Sequence, residues 1–101
     1  MPDVRRSPQA ELDLASILKA LDMVNPSIAE RYALEFEQKA RALGQFPEMG
    51  RIRSEISPGI RSTIVHPYVL FYRIEDDGLQ ILRILHGRMD LNRIMKEEAE
   101  Q

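Results

Sequence analysis

The spacing of apolar residues changes once along this chain, near Gly44, and that change limits the folds open to it. Before it, Leu14, Ile17, Leu18 and Leu21 recur at helical spacing, and Ala29, Tyr32, Ala33, Phe36, Ala40 and Leu43 form a second such stripe. After it, Ile60 to His66 alternates, Tyr68 to Ile74 is rich in aromatic and branched residues, and Leu79 to Leu85 is almost wholly apolar. Helices first and strands afterwards predict an α+β domain, with each class of element gathered in its own part of the chain.

Punctuation fixes the boundaries. Ser7-Pro8 and Asn25-Pro26 each place a capping side chain before a proline, the signal of a helix start. The first helix therefore ends near Val24 and the second begins at once, which makes them an antiparallel hairpin. Gly44 is the expected stop of the second helix. Phe46 to Gly50 and Ser57 to Gly59 read as loops, His66-Pro67 as a turn, and Asp76-Asp77-Gly78 as a tight hairpin turn. Asp3 to Ser7 reads as a short first strand, and Leu91 to Gln101 as a short helix or a fraying tail. The expectation is one domain over residues 1–101, with an N-terminal strand and a helical hairpin packed on a small antiparallel sheet.

Composition removes several classes of function. The 101 residues include no cysteine, which excludes disulfide scaffolds, thiolate zinc sites and thiol nucleophiles. His66 and His86 have no second ligand at helical spacing, so no metal is expected, and no Gly-rich phosphate loop is present. The N-terminal charges are followed by no apolar run, and no stretch approaches the ~20 residues that span a bilayer. A cytoplasmic protein without membrane contact is expected. The net charge of −2 argues against a general nucleic-acid binder.

The charges are unevenly spread. Between Arg51 and Arg73 the cations are Arg51, Arg53, Arg61 and Arg73, with Glu55 the only acid. Such a face is either a solvated sheet surface or a surface awaiting acidic side chains, which guanidinium forks bind well. Strict alternation puts Arg83 on one face with Leu79, Ile81 and Leu85, where it must be paired within the domain or lie, with Arg61, along a concave binding surface. His86-Gly87-Arg88 ends the last strand. Its histidine is either bonded to backbone or placed to act on RNA beside the arginines. Ser54, Ser57 and Ser62 lack a nucleophile elbow, Asp76 and Asp77 are turn residues, and Glu35 and Lys39 are spaced as an i, i+4 pair.

Several segments together resemble the ParE branch of the RelE/ParE toxin superfamily. They are Val4-Arg-Arg-Ser-Pro-Gln-Ala10 with Asp13-Leu14, Asn25-Pro26, Phe46-Pro-Glu-Met-Gly-Arg51, Pro58-Gly-Ile-Arg-Ser62, Val69-Leu-Phe-Tyr-Arg73 and Ile84-Leu-His-Gly-Arg88, in order. The resemblance implies the toxin of a type II toxin–antitoxin pair, held inactive by a cognate ParD-like antitoxin whose C-terminal segment wraps around it. It implies DNA gyrase as the target, and operator DNA met only through the antitoxin. The alternative is the RelE branch, ribosome-dependent mRNA endonucleases that use basic residues and a tyrosine near the C-terminus. Met95 stands about where that tyrosine would be, which favours a protein-binding toxin over an enzyme. Met89 stands where ParE-like chains often have arginine. No catalytic residue and no cofactor are assigned; Arg51, Arg53, Arg61, Arg73, Arg83, His86 and Arg88 are the candidates for binding target or antitoxin. The antitoxin is expected across the helical hairpin and the adjoining sheet.

Overall fold

A computed structural model describes residues 3–100. The elements are β1 (Asp3–Arg6), α1 (Pro8–Val24), α2 (Pro26–Gln45), a 3₁₀ turn (Pro47–Met49), β2 (Arg51–Ile52), β3 (Ile60–Val65), β4 (Tyr68–Glu75), β5 (Gly78–His86) and α3 (Leu91–Ala99). Both helix starts form as the sequence indicates. The Ser7 hydroxyl accepts the Ala10 N–H, and the Asn25 side chain accepts the Ser27 N–H while its own extended backbone closes α1. Each cap of this kind contributes about 1 kcal/mol. Gly44 does not stop α2, which continues to Gln45. It lies buried within the helix, where an added Cβ would come 3.1 Å from Val4 Cγ2. The glycine serves the approach of β1, not a turn.

The five strands are ordered β1-β5-β4-β3-β2. Three neighbouring pairs are antiparallel, but β1 runs parallel to β5, from Asp3 opposite Gly78 to Arg6 opposite Ile81. The sheet is therefore mixed where a wholly antiparallel one was expected; the α+β class stands. Gly78 does more than turn the β4–β5 hairpin. Any Cβ there would run into the Asp3 backbone, so the last hairpin must begin with glycine for β1 to dock.

Strict alternation fails in β5. Phe71 is opposite Arg83 but Tyr72 is opposite Ile81, so Leu82 is an extra residue, a β-bulge. Leu79, Ile81 and Ile84 consequently all face the helical hairpin, in a core with Ala10, Phe36, Leu43, Leu70 and Tyr72. Arg83 and Leu85 turn to the other face. The bulge corrects the expectation that Arg83 shares a face with Leu79 and Ile81.

That other face is a second core. Ile56, Ile60, Phe71, Leu85 and Met95 are buried together, with Leu82, Leu91 and Ile94 packed around them. The C-terminal segment is thus a seated helix. Leu91, Ile94 and Met95, at i, i+3 and i+4, form its apolar stripe, and the Asp90 side chain caps it by accepting the Arg93 N–H. Met95 has no exposed surface. Burying a side chain of this size contributes about 1.5–3 kcal/mol, which explains why the segment holds.

The loop between α2 and β2 is tied from beneath. The fully buried Tyr72 donates its hydroxyl to the Pro47 carbonyl at 2.6 Å and accepts the Gly50 N–H at 3.0 Å. Arg61 donates to the carbonyls of Glu48 and Gly50, each at 3.0 Å. A Cβ on Gly50 would collide with the Tyr72 ring and hydroxyl and with the Ser62 carbonyl. Gly50→Ala is expected to destabilise the fold by about 2–3 kcal/mol, read as a lower urea midpoint at unchanged m. Burial also raises the Tyr72 phenol above its ordinary value of about 10. A raised folded value means stability is held below pH 10 and lost as pH rises through the folded value. Phenolate absorbance and loss of near-ultraviolet circular dichroism should therefore rise together above pH 10.

Candidate functional site

The seven candidate residues do not gather at one point. Residues opposite each other in neighbouring strands share a face. Arg51 is opposite Ser62, Arg73 is opposite Ile60 and Gln80, and Arg83 is opposite Phe71, so these three lie on the α3 side. Arg53 joins them, with its guanidinium 5.3 Å from the Phe71 ring centre. Arg61 is opposite Tyr72, on the hairpin side, and does not line a surface with Arg83. His86 is opposite Tyr68 and also belongs to the hairpin side.

Arg83 is the most constrained of the seven. Its Nε and one terminal nitrogen reach the two carboxylate oxygens of Asp13 at 2.8 and 3.2 Å, and the other terminal nitrogen reaches Glu98 at 3.3 Å. The side chains of Arg83 and Asp13 are 15% and 11% exposed, so the pair is held almost out of water. Asp13, followed by Glu98, holds the guanidinium more firmly protonated than usual against the cost of burial. Asp13 also accepts the Ile84 N–H at 3.0 Å. One carboxylate of α1 thus fixes the bulge, and Arg83 ties α1 to α3 through the sheet.

Arg53 is similarly engaged. It donates to Glu55 at 2.7 Å, to the Ser62 hydroxyl at 3.2 Å and to Asn92 of α3 at 3.2 Å. The charge-assisted bond from Arg53 holds the Glu55 carboxyl below its usual range. Arg61 is committed to the loop carbonyls described above. Arg51, Arg73 and Arg88 are exposed and make no side-chain hydrogen bond or ion pair among the described residues.

His86 packs edge-on against Tyr68, with ring centres 5.6 Å apart, and its Nδ1 accepts the Arg88 N–H at 3.1 Å. That bond requires an unprotonated Nδ1, so the neutral ring carries its proton on Nε2. Tyr68 also packs edge-on against Tyr32, at 5.6 Å. The Tyr32 hydroxyl donates to the His66 carbonyl at 3.3 Å. The sheet end at His86 is therefore a half-buried aromatic cluster.

The sequence did not single out the residues that do most to position these arginines. Asp13, Asn92 and Glu98 are partners from elsewhere in the chain, and of the three only Asp13 stood in a segment the sequence had marked, beside Leu14 in the ParE-like set. The expected Glu35–Lys39 pair does not form; Glu35 faces Arg31 at 4.0 Å, and Lys39 has no ion pair among the described residues. Among those residues no three His, Asp or Glu side chains gather to hold a metal ion, and no helix is long and apolar enough to cross a membrane.

The comparisons with known proteins follow the same line. The family described as "ParE toxin of type II toxin-antitoxin system, parDE" matches residues 4–91. The chain is 39% identical over 64 residues to toxin ParE3 of Caulobacter vibrioides, spanning 63% of this chain and 64% of that one. It is 34% identical over 89 residues to toxin ParE1 of Mycobacterium tuberculosis, covering 86% and 91% of the two. Toxin RelE2 of Caulobacter vibrioides is 32% identical over 79 residues, covering 78% and 88%. A solved structure described as the chromosomal ParDE TA system from P. aeruginosa superposes with a TM-score of 0.70 at 25% identity, over 85% of this chain and 96% of that one.

Arg83→Ala removes one member of a nearly buried pair and leaves Asp13 without its cation. A loss of about 2–4 kcal/mol is expected, and a melting temperature lower by more than about 10 °C. Arg73→Ala and Arg88→Ala should leave the melting temperature within about 2 °C, since neither ties elements together. Calorimetry on the three variants tests both statements.

Proposed function

This chain belongs to the ParE toxin family of type II toxin–antitoxin systems, and on that premise we propose that it arrests growth by binding DNA gyrase in the cytoplasm, is neutralised by a ParD-like antitoxin, and performs no catalysis of its own. It meets operator DNA only through that antitoxin. The observation that carries the non-catalytic reading is the occupation of the second sheet face. Met95, about where the nuclease branch would place its tyrosine, is buried against the sheet with Phe71 and Ile60, and α3 lies over that face. Of the basic residues a nuclease would use, Arg83 is engaged by Asp13 and Glu98 and Arg61 by loop carbonyls, while Arg88 is exposed. A guanidinium already in a bidentate pair gains little from a second anion.

Exposed Arg51, Arg73 and Arg88 are what remains to meet partners, and they suit acidic surfaces. An antitoxin with a disordered acidic C-terminal segment would wrap across the hairpin and the adjoining sheet, ordering as it binds. A small open reading frame directly upstream, with a DNA-binding N-terminal part and an acidic C-terminal part, is the expected genomic counterpart.

The 32% identity to a protein described as RelE2 keeps one competing reading in view, ribosome-dependent mRNA cleavage. Two assays separate them. Purified protein freed of antitoxin should inhibit supercoiling by gyrase, or trap cleaved DNA with it, at micromolar concentration; no effect in either overturns the gyrase reading. Primer extension on messages from arrested cells should show intact RNA, and new codon-positioned cuts would establish the nuclease instead.

A further inference from the structure

The sheet has two open edges, and they differ in charge. At one edge, β1 turns the backbone groups of Val4 and Arg6 away from β5, because the Asp3 N–H bonds the Asp77 carbonyl just before β5 and the Ser7 N–H bonds the Ile81 carbonyl within it. The cations there are already paired within the chain: Arg6 with Glu11, Arg41 with Glu37, and Arg5 with Asp3, Glu75 and Asp77. At the other edge, β2 is only two residues long and covers β3 no further than Ser62. The Arg53 N–H bonds the Ile60 carbonyl, so Ile60 and, by alternation, Ser62 and Ile64 present their backbone groups on the β2 side. For Ile64 no strand among the described residues lies on that side.

Its surroundings suit an incoming strand. Two open grooves of about 370 and 320 Å³ meet at Ile64 and Lys39, one bounded by α2 and the other by Gly50, Arg51 and Arg53. Ile64 is 57% exposed. Lys39 and Arg51 lie along this edge without an ion pair among the described residues, whereas the nearby acids Glu35 and Glu55 are engaged by Arg31 and Arg53. An unpaired strand edge between unpaired cations is suited to an extended segment that carries acids beside an apolar residue.

We propose that the open edge of β3 at Ile64 is the point where an extended acidic segment of the antitoxin adds to the sheet, in line with β2, its carboxylates meeting Lys39 and Arg51 and its apolar side chain covering Ile64. This rests on the antitoxin reading above and deepens it by fixing one contact. Two main-chain hydrogen bonds to Ile64 set the position, and the charges set the preference for acids.

The test uses the full chain co-expressed with the ParD-type antitoxin encoded beside its gene. In hydrogen–deuterium exchange, the Ile64 amide should slow at least about tenfold in the complex, while the Val4 amide on the opposite edge keeps its rate. Ile64→Pro removes the outward N–H from an edge strand, a place where proline is tolerated. It should keep its melting temperature within about 5 °C and weaken antitoxin binding about tenfold. The double variant Lys39→Glu, Arg51→Glu should weaken binding by a similar factor and flatten its salt dependence. Binding with unchanged Ile64 exchange overturns the proposal alone, as does protection at Val4 in its place. Failure of the antitoxin to bind the wild-type chain overturns the antitoxin reading as well. The exchange measurement needs no variant, so it decides the matter even if Ile64→Pro does not fold.

Discussion

Asp13 on α1 does two jobs with one carboxylate. It grips the Arg83 guanidinium in a nearly buried fork, and it accepts the Ile84 N–H next to the Leu82 bulge. Without that acceptor the Ile84 amide would lose its partner at the point where β1 has ended. The same stretch of β5 gains two more bonds from the start of α1: the Ser7 N–H to the Ile81 carbonyl and the Ser7 hydroxyl to the Leu82 carbonyl. The first turns of α1 therefore continue the sheet's edge with side chains where β1 leaves off. Because the bulge exists, Ile84 joins the hairpin core and Leu85 the α3 core. Because Arg83 reaches Glu98 as well, the helix on each side of the sheet is tied to the same residue.

Much of this architecture is legible in the sequence. The two cap-and-proline starts, the hairpin they imply, the β-rich second half and the Asp-Asp-Gly turn all rest on local preference, and local preference can be read locally. What could not be read depends on residues far apart. A bulge at Leu82 looks like unbroken alternation until Asp13, 71 positions before Ile84, supplies the bond that favours it. The parallel pairing of β1 with β5 leaves its trace only in Gly78, which also reads as a turn glycine. Gly44 has the look of a helix stop because the strand that needs it lies at the other end of the hairpin. The α3 stripe was different: Leu91, Ile94 and Met95 are in the sequence at helical spacing, and the segment is too short for that spacing to distinguish a seated helix from a frayed tail.

For the candidate site, residue type was readable and position was not. Arginine suits carboxylates, and most of the seven candidates lie on the sheet or at its end. Which arginines are free depends on long-range partners: Arg83 and Arg53 are engaged by Asp13, Glu98, Glu55 and Asn92, and Arg61 by loop carbonyls. Arg51, Arg73 and Arg88, which have no side-chain partner among the described residues, could not be told apart from them by composition. Lys39 was overlooked because a neighbouring glutamate at i−4 offered a sufficient partner on paper.

The parallel seat of β1 also bears on the order in which the chain can assemble. Residues 3 to 6 pair with residues 78 to 81, so the loop to be closed spans most of the chain. Closing it carries the entropy of more than seventy residues, and contacts of such separation form late. During synthesis the helical hairpin can form on its own caps, while β1 waits for a strand not yet made. The completed sheet exists only once β5 has been made. The edge that β1 forms is therefore among the last parts of the sheet to be completed.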